Sequence, residues 1–289
     1  MQRLHTAYSF LSSLETTQST VVVELRPPRA QLDTTSGIEA WIDTYHAVRD
    51  LTRNDTFVLL TDNAIGEGEE QNLRHLVANL GNDAPRERVV PFLTAKHTLD
   101  YCLAYADRAW ENGFRSLIVV GGDSTVGPKR CVAHGWQLRR AIRERQPRLK
   151  LGGWANPHKN TTLQIEFLSA LDVTAEFYLT QIVSHHDLES VERFLIQAEQ
   201  YKLRLPGLFG VFYYRSGNKT TLDILSQFLP VPRTGLMQEF SDGKTAEEIC
   251  AKSICALRNI GVKNLYISNL PPTNAANILN RILTLANKS

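Results

Sequence analysis

The sequence has little net charge, few cysteines and no long apolar run. Lys and Arg number 32 against 30 Asp and Glu, a formal net charge of +2. That balance gives no electrostatic case for a nucleic-acid partner or an anionic membrane surface. No apolar stretch approaches the ~20 residues of a membrane-spanning helix, and Met1 to Ser19 lacks the apolar core of a signal peptide. The four cysteines, Cys102, Cys131, Cys250 and Cys255, form no CxxC pair. They read as reduced, buried thiols of a cytoplasmic protein rather than disulfide partners or zinc ligands. Cys250 and Cys255 on one helix would face different ways. No linker, low-complexity tract or second core interrupts the 289 residues, so 1–289 reads as one domain with a short N-terminal extension. The hydrophobic content of 43% and charged content of 21% are ordinary for a soluble globular chain.

What is present is an alternation of strand and helix patterns. The organising stretch is Val21-Val22-Val23-Glu24-Leu25-Arg26-Pro27-Pro28-Arg29. Three β-branched residues predict a buried strand, and the double proline stops it past Leu25. Glu24 therefore falls where a buried strand ends. A carboxylate there is costly unless it is paired, with Arg26 or Arg29, or has a raised pKa. A raised pKa makes a useful general acid. Further strands are expected at Phe57–Thr61, Val89–Thr94, Ser116–Val120, Leu149–Trp154, Phe177–Gln181, Leu208–Tyr213 and Asn264–Ser268. Helices are expected at Ile38–Leu51, Glu69–Leu80, Leu99–Asn112, Val132–Arg145, Thr162–Leu171, Leu188–Tyr201, Asn218–Phe228, Ala246–Ile260 and Ala275–Ala286, with a loop between Phe228 and Ala246. Eight strands, each followed by helix, imply an α/β fold of the (β/α)8 TIM-barrel type. A doubly wound open sheet is the alternative; the even spacing and the count of eight favour the barrel.

In such a barrel, reactive groups gather at the C-terminal strand ends. Those ends carry Glu24, Thr61, Asp62, Thr94, Asp123, Trp154, Asn156, His158, Gln181, Tyr213, Tyr214 and Asn269. Acids, amides, an imidazole and aromatics on one rim fit a pocket for a flat polar heterocycle better than a metal centre. Gly121-Gly122-Asp123 with Gly127 is not a GxGxxG fingerprint, and its glycines fit a tight turn. His185-His186-Asp187 has no second cluster at metal-ligand spacing, and Asp187 is placed to cap the helix from Leu188; no metal is expected. Gly152 and Gly153 mark a place where another backbone or a ligand approaches closely. Lys159 and the arginines 139, 140, 143 and 145 read as solvated helix surface.

These segments resemble the methylenetetrahydrofolate reductase family over about residues 20–270. Val-Glu-Leu-Arg-Pro-Pro-Arg is similar to its strand-one E-F-x-P-P-[KR], and Gly121-Gly122-Asp123 to its R-G-D. Gly152 to His158 has the spacing of its A-x-Y-P-x-x-H, while Leu179-Thr180-Gln181 is similar to I-T-Q and Leu205-Pro206-Gly207-Leu208 to I-P-G-I. The resemblance implies reduction of 5,10-methylenetetrahydrofolate to 5-methyltetrahydrofolate with NADH or NADPH. It implies Glu24 as the general acid, Asp123 on the pterin, and Gln181 as a folate contact. With Tyr213 these form the substrate side; Thr61, Gly122, Trp154 and His158 form the cofactor side. The family's flavin contacts are altered: its strand-three histidine is Phe92, the arginine before Gly-Asp is Gly121, the arginine at strand eight is Leu270, and residues 163–172 carry no lysine or arginine. A pyrophosphate without cations is poorly neutralised. The expectation is therefore direct hydride transfer from the nicotinamide without FAD, with an FAD enzyme or a non-catalytic folate-binding barrel as alternatives.

Overall fold

The computed structural model describes residues 9–29, 31–62, 72–80, 84–123, 125, 127–169 and 174–288. Eight parallel strands close into a barrel in chain order. They are β1 (Val21–Leu25), β2 (Val58–Leu60), β3 (Val89–Thr94), β4 (Ser116–Val120), β5 (Lys150–Ala155), β6 (Phe177–Ile182), β7 (Gly207–Phe212) and β8 (Asn264–Ser268). Closure is made by β8 on β1, from Val21 beside Leu265 to Glu24 beside Ser268. Around the barrel lie α1 (Phe10–Glu15), α2 (Thr34–Arg53), α3 (Asn72–Asn79), α4 (Leu99–Glu111), α5 (Gly135–Arg145), α6 (Thr161–Ser169), α7 (Leu188–Gln200), α8 (Lys219–Leu225), α9 (Arg233–Ser241), α10 (Ala246–Asn259) and α11 (Ala275–Ala286). The TIM-barrel expectation holds.

The strands are buried on both faces, which is why they read as continuous Val, Ile and Leu runs. Alternate residues divide them between two cores. Val23, Leu25, Val58 and Leu60 pack outward against the helices. Val22, Leu59, Phe92, Ile118, Leu179 and Tyr266 fill the barrel interior. Large rings inside a narrow barrel need small neighbours. A Cβ on Gly152 would sit 2.4 Å from the Phe177 ring, and one on Gly210 would sit 2.4 Å from Tyr266. The close approach expected at Gly152 is thus made by a side chain of the next strand, and the one at Gly153 by Leu168.

The N-terminal extension closes the bottom of the barrel. Ser9 caps α1 through the Ser12 amide, and Phe10 makes edge-on contacts with Phe57 at 5.2 Å and Phe177 at 5.1 Å. Asn264, at the start of β8, ties this helix down by donating to the Leu14 carbonyl at 3.0 Å.

Three sequence expectations change. The loop expected between Phe228 and Ala246 contains α9. Arg139 is not solvated: it is 4% exposed and donates to the Val119 carbonyl at 3.2 Å. Arg143 lies half-buried, with both oxygens of Glu176 at 2.6 Å. Both arginines lie on the strand-facing side of α5, where a guanidinium can satisfy carbonyls that water does not reach. Arg140, Arg145 and Lys159 are exposed as expected. The sequence also predicts a polar, glycine-bearing loop over Asp62–Gly68; from residue 63 on it lies outside the described residues, as do the start expected at Glu69 for α3 and the end expected at Leu171 for α6. Asp187 does cap α7, accepting from the Ser190 amide.

Candidate active site at the barrel mouth

The alternation that fills the interior with Val22 brings Glu24, two residues on, to the same inner face. Its partner across the closure is Ser268, whose hydroxyl donates to Glu24 Oε1 at 2.6 Å. One inward position below Ser268, the Tyr266 hydroxyl donates to the Thr180 carbonyl at 2.6 Å. Burial first, and the Glu24 charge second, push the Tyr266 phenol far up. It stays a neutral donor.

Gln181 follows inner-core Leu179 at the mouth end of β6, where the register with β7 shifts and Ile182 also joins the inner core, and its Oε1 accepts from the Ile182 amide at 2.9 Å. Trp154 packs half-buried against the inner core. Thr61 follows inward-facing Leu59, its amide bonded to the Leu25 carbonyl at 3.0 Å. Asp123 lies half-buried after β4, its Oδ1 accepting from the Thr125 amide at 2.6 Å and hydroxyl at 2.7 Å. Gly122 takes a positive φ of 74°, the turn expected of it.

Two expected site residues stand elsewhere. Tyr213 is 6% exposed within the outer core, because it has the parity of Val211, whereas Phe212 turns inward. Burial, then the Glu247 carboxylate, raise its phenol. His158 lies at the rim, its Nδ1 3.0 Å from Asp187 Oδ2 and its Nε2 2.8 Å from the Ile182 carbonyl. It lines a cavity of about 580 Å³ with Val183, Asp187, Leu229, Val231 and Arg233. Asn269 is a turn residue at φ 72°, its amide donating to the Tyr213 carbonyl.

Among the expected rim residues the structure joins Asp62 to Thr94, and it adds His97, Arg130, Arg215 and Ser268, which the sequence reading missed. Asp62 accepts from the Thr94 amide at 2.8 Å and the Thr94 hydroxyl at 3.0 Å, and lies 2.9 Å from His97 Nε2. Cations reach two strand ends from neighbouring loops. The Arg130 guanidinium lies 3.2 Å from where a Cβ on Gly121 would stand, and it donates to the carbonyls of Gly122 and Ala133. Arg215 donates to the Asn269 carbonyl at 3.1 Å, beside β8. Ser268 was open to detection, since it shares the parity of Tyr266. Arg130 and Arg215 were not, because their positions depend on loop paths.

Among the described residues no helix is long and apolar enough to cross a membrane. Fold and site together define a (β/α)8 barrel with Glu24, Gln181 and Trp154 at the mouth of its interior. No family model matches the chain, and no curated protein does. Solved structures do. One is a protein from Clostridium thermocellum that binds two copies of 5-methyl-5,6,7,8-tetrahydrofolic acid: 16% identity, 95% of this chain and 96% of that one covered, TM-score 0.62. Another is an F420-dependent secondary alcohol dehydrogenase in complex with an F420-acetone adduct: 8% identity, 93% and 99% covered, TM-score 0.56. At these identities the likeness is one of fold.

Proposed function

We propose that this barrel reduces 5,10-methylenetetrahydrofolate to 5-methyltetrahydrofolate, with NADH or NADPH as direct hydride donor. The observation that carries the reading is Glu24, held on the inner face of the mouth by Ser268, with Gln181 at the mouth end of β6. A folate-binding neighbour of the same fold supports it.

In this reaction Glu24 delivers its proton to N10. The N10–methylene bond breaks, leaving a 5-iminium cation at the exocyclic carbon. Asp123 favours that cation electrostatically, and Gln181 offers its amide to the pterin. Bound NADH supplies the hydride that completes the methyl group. The inner apolar wall, with Trp154, keeps water from the iminium. Reprotonation of Glu24 from solvent at the open mouth resets the site.

The flavin grip does not fit. Phe92 is 5% exposed in the inner core, Lys159 is exposed, and Arg233 is paired with Asp223. Arg130 and Arg215 favour an anionic cofactor, but both already donate to backbone carbonyls. A dissociable co-substrate needs less: micromolar binding requires about 8 kcal/mol, against about 12 for a nanomolar resident group. The cavity beside His158 has the volume of a small-molecule site. The test is steady-state kinetics with deuterated NADH. Intersecting double-reciprocal lines, a colourless protein and label in the methyl group are expected. Parallel lines with a yellow, FAD-dependent protein would return the enzyme to flavin chemistry. Absence of any turnover would leave a binding barrel.

A further inference from the structure

The loop after β6 carries His185 and His186, whose rings are 4.0 Å apart between centroids. Both turn Nε2 to one carboxylate that α9 brings from more than fifty residues along the chain. His185 Nε2 is 3.1 Å from Glu239 Oε1, and His186 Nε2 is 3.1 Å from Glu239 Oε2. One ligand atom from each residue lies within 4.8 Å of the other two. The side chains of His185 and Glu239 are only 7% and 12% exposed. We infer that His185, His186 and Glu239 bind one divalent transition-metal ion of the zinc class, clamping the β6–α7 loop to α9 and α10.

Three features support a built site. Zinc–nitrogen and zinc–oxygen distances of about 2.0–2.2 Å place tetrahedral ligand atoms about 3.3 Å apart; each imidazole Nε2 is 3.1 Å from its own Glu239 oxygen and the three ligand atoms lie within 4.8 Å, a spread that small side-chain rotations close. Ser253 of α10 lies 2.8 Å from His185 Nδ1. A hydroxyl accepts as readily as it donates, so it can hold the Nδ1–H tautomer that leaves the Nε2 lone pair for a metal. Gly235 of α9 makes room for the second imidazole, since a Cβ there would lie 2.4 Å from His186 Cε1.

The competing role is a plain ion-pair network, because Lys252 Nζ also reaches Glu239 Oε1 at 2.6 Å. Lys252 is 60% exposed and free to swing into water, whereas the His185, His186 and Glu239 side chains are 7%, 20% and 12% exposed. Two imidazoles and a carboxylate match zinc and other borderline divalent ions better than calcium or magnesium, which prefer oxygen. Two histidines and one carboxylate also leave coordination positions open.

The test uses the whole chain, stripped with EDTA and desalted, and titrated with Zn²⁺ by calorimetry and with Co²⁺ by visible absorption. One equivalent of Zn²⁺ with a rise in Tm is expected, and a cobalt spectrum without a thiolate charge-transfer band. His186→Gln and Glu239→Gln should each weaken Zn²⁺ by more than about 100-fold, and Ser253→Ala by about 10–100-fold. Lys252→Ala, which removes only an exposed competitor, should bind at least as tightly as the parent. No stoichiometric binding, binding unchanged in the Gln variants, a thiolate band, or weaker binding in Lys252→Ala would each overturn the site. The last readout decides the matter even if the Gln variants fail to fold.

Discussion

The two ends of this barrel are built from the same strands and do opposite work. At the bottom, Phe10, Phe57 and Phe177 close the interior with edge-on aromatic contacts. At the top, the same inner face carries Glu24 two residues after Val22 and Ser268 two after Tyr266, and β6 brings Gln181 to the mouth just past Leu179. Val22, Leu179 and Tyr266 are at most 1% exposed. The change from sealed apolar interior to polar mouth thus takes one inward step on β1 and on β8. A carboxylate one step lower would lie in a dry core without water or partners, where its charge is costly. One step higher it would be on the rim, away from the apolar wall. The position on the strand, more than the residue type, sets Glu24 at the border between sealed core and open mouth, which the proposed acid role requires.

The largest way to break that contrast is at the bottom. Phe10→Ala removes the plug and should cost about 3–5 kcal/mol of stability, the range for Phe-to-Ala in a core. Urea unfolding measures it, and a loss below about 1 kcal/mol would show that the extension does not seal the barrel. Ligand affinity at the mouth, in the folded fraction, should not change.

Next in size is the mouth itself. Glu24→Gln should leave stability nearly untouched and lower turnover by about 10²-fold or more, as for loss of a general acid. Turnover near the parent value would remove Glu24 from proton transfer.

A smaller effect separates the proposed substrate contacts at the mouth from the outer core. Asp123→Ala or Gln181→Ala should each reduce kcat/KM for methylenetetrahydrofolate by about tenfold or more, as for a lost charged or polar substrate contact. Tyr213→Phe should leave both steady-state constants alone, because its ring packs in the outer core. A Tyr213→Phe enzyme with altered KM would place that hydroxyl back at the substrate.

The smallest effect is a pH dependence in the outer layer. Burial works to raise Glu247, but the Arg281 guanidinium, aided by the Tyr213 hydroxyl, holds its pKa below the ordinary 4.5. A depressed carboxylate contributes stability that is present above its unfolded pKa and lost as pH falls through the folded one. Denaturant midpoints should therefore drop below about pH 4.5 in part through this pair. Arg281→Met should flatten that part of the profile. An identical profile in the variant would discount it.

The barrel was open to sequence reading because its strands are buried on both faces. Ser116–Val120 and Asn264–Ser268 are unbroken runs whose ends need no tertiary information. The helix at Phe10–Glu15 was not, since six residues are too short for a periodicity. Nor was α9, which buries only Leu236 behind Pro230 and Pro232 and so has no apolar stripe. Arginines 139 and 143 misled because charge along a helix says nothing about which face meets carbonyls.

By itself, the sequence determined the strand count, the inward parity that follows from it, and so the placing of Glu24 at a strand end; these depend on local pattern and a period of two. Only the tertiary structure decided what surrounds that acid and what lies beyond it. Ser268 meets Glu24 across a closure of 244 residues. Arg130 comes to stand at Gly121, and Glu239 comes to join His185 and His186. Such pairings depend on barrel register and loop path, and neither is written in the spacing of residues along the chain.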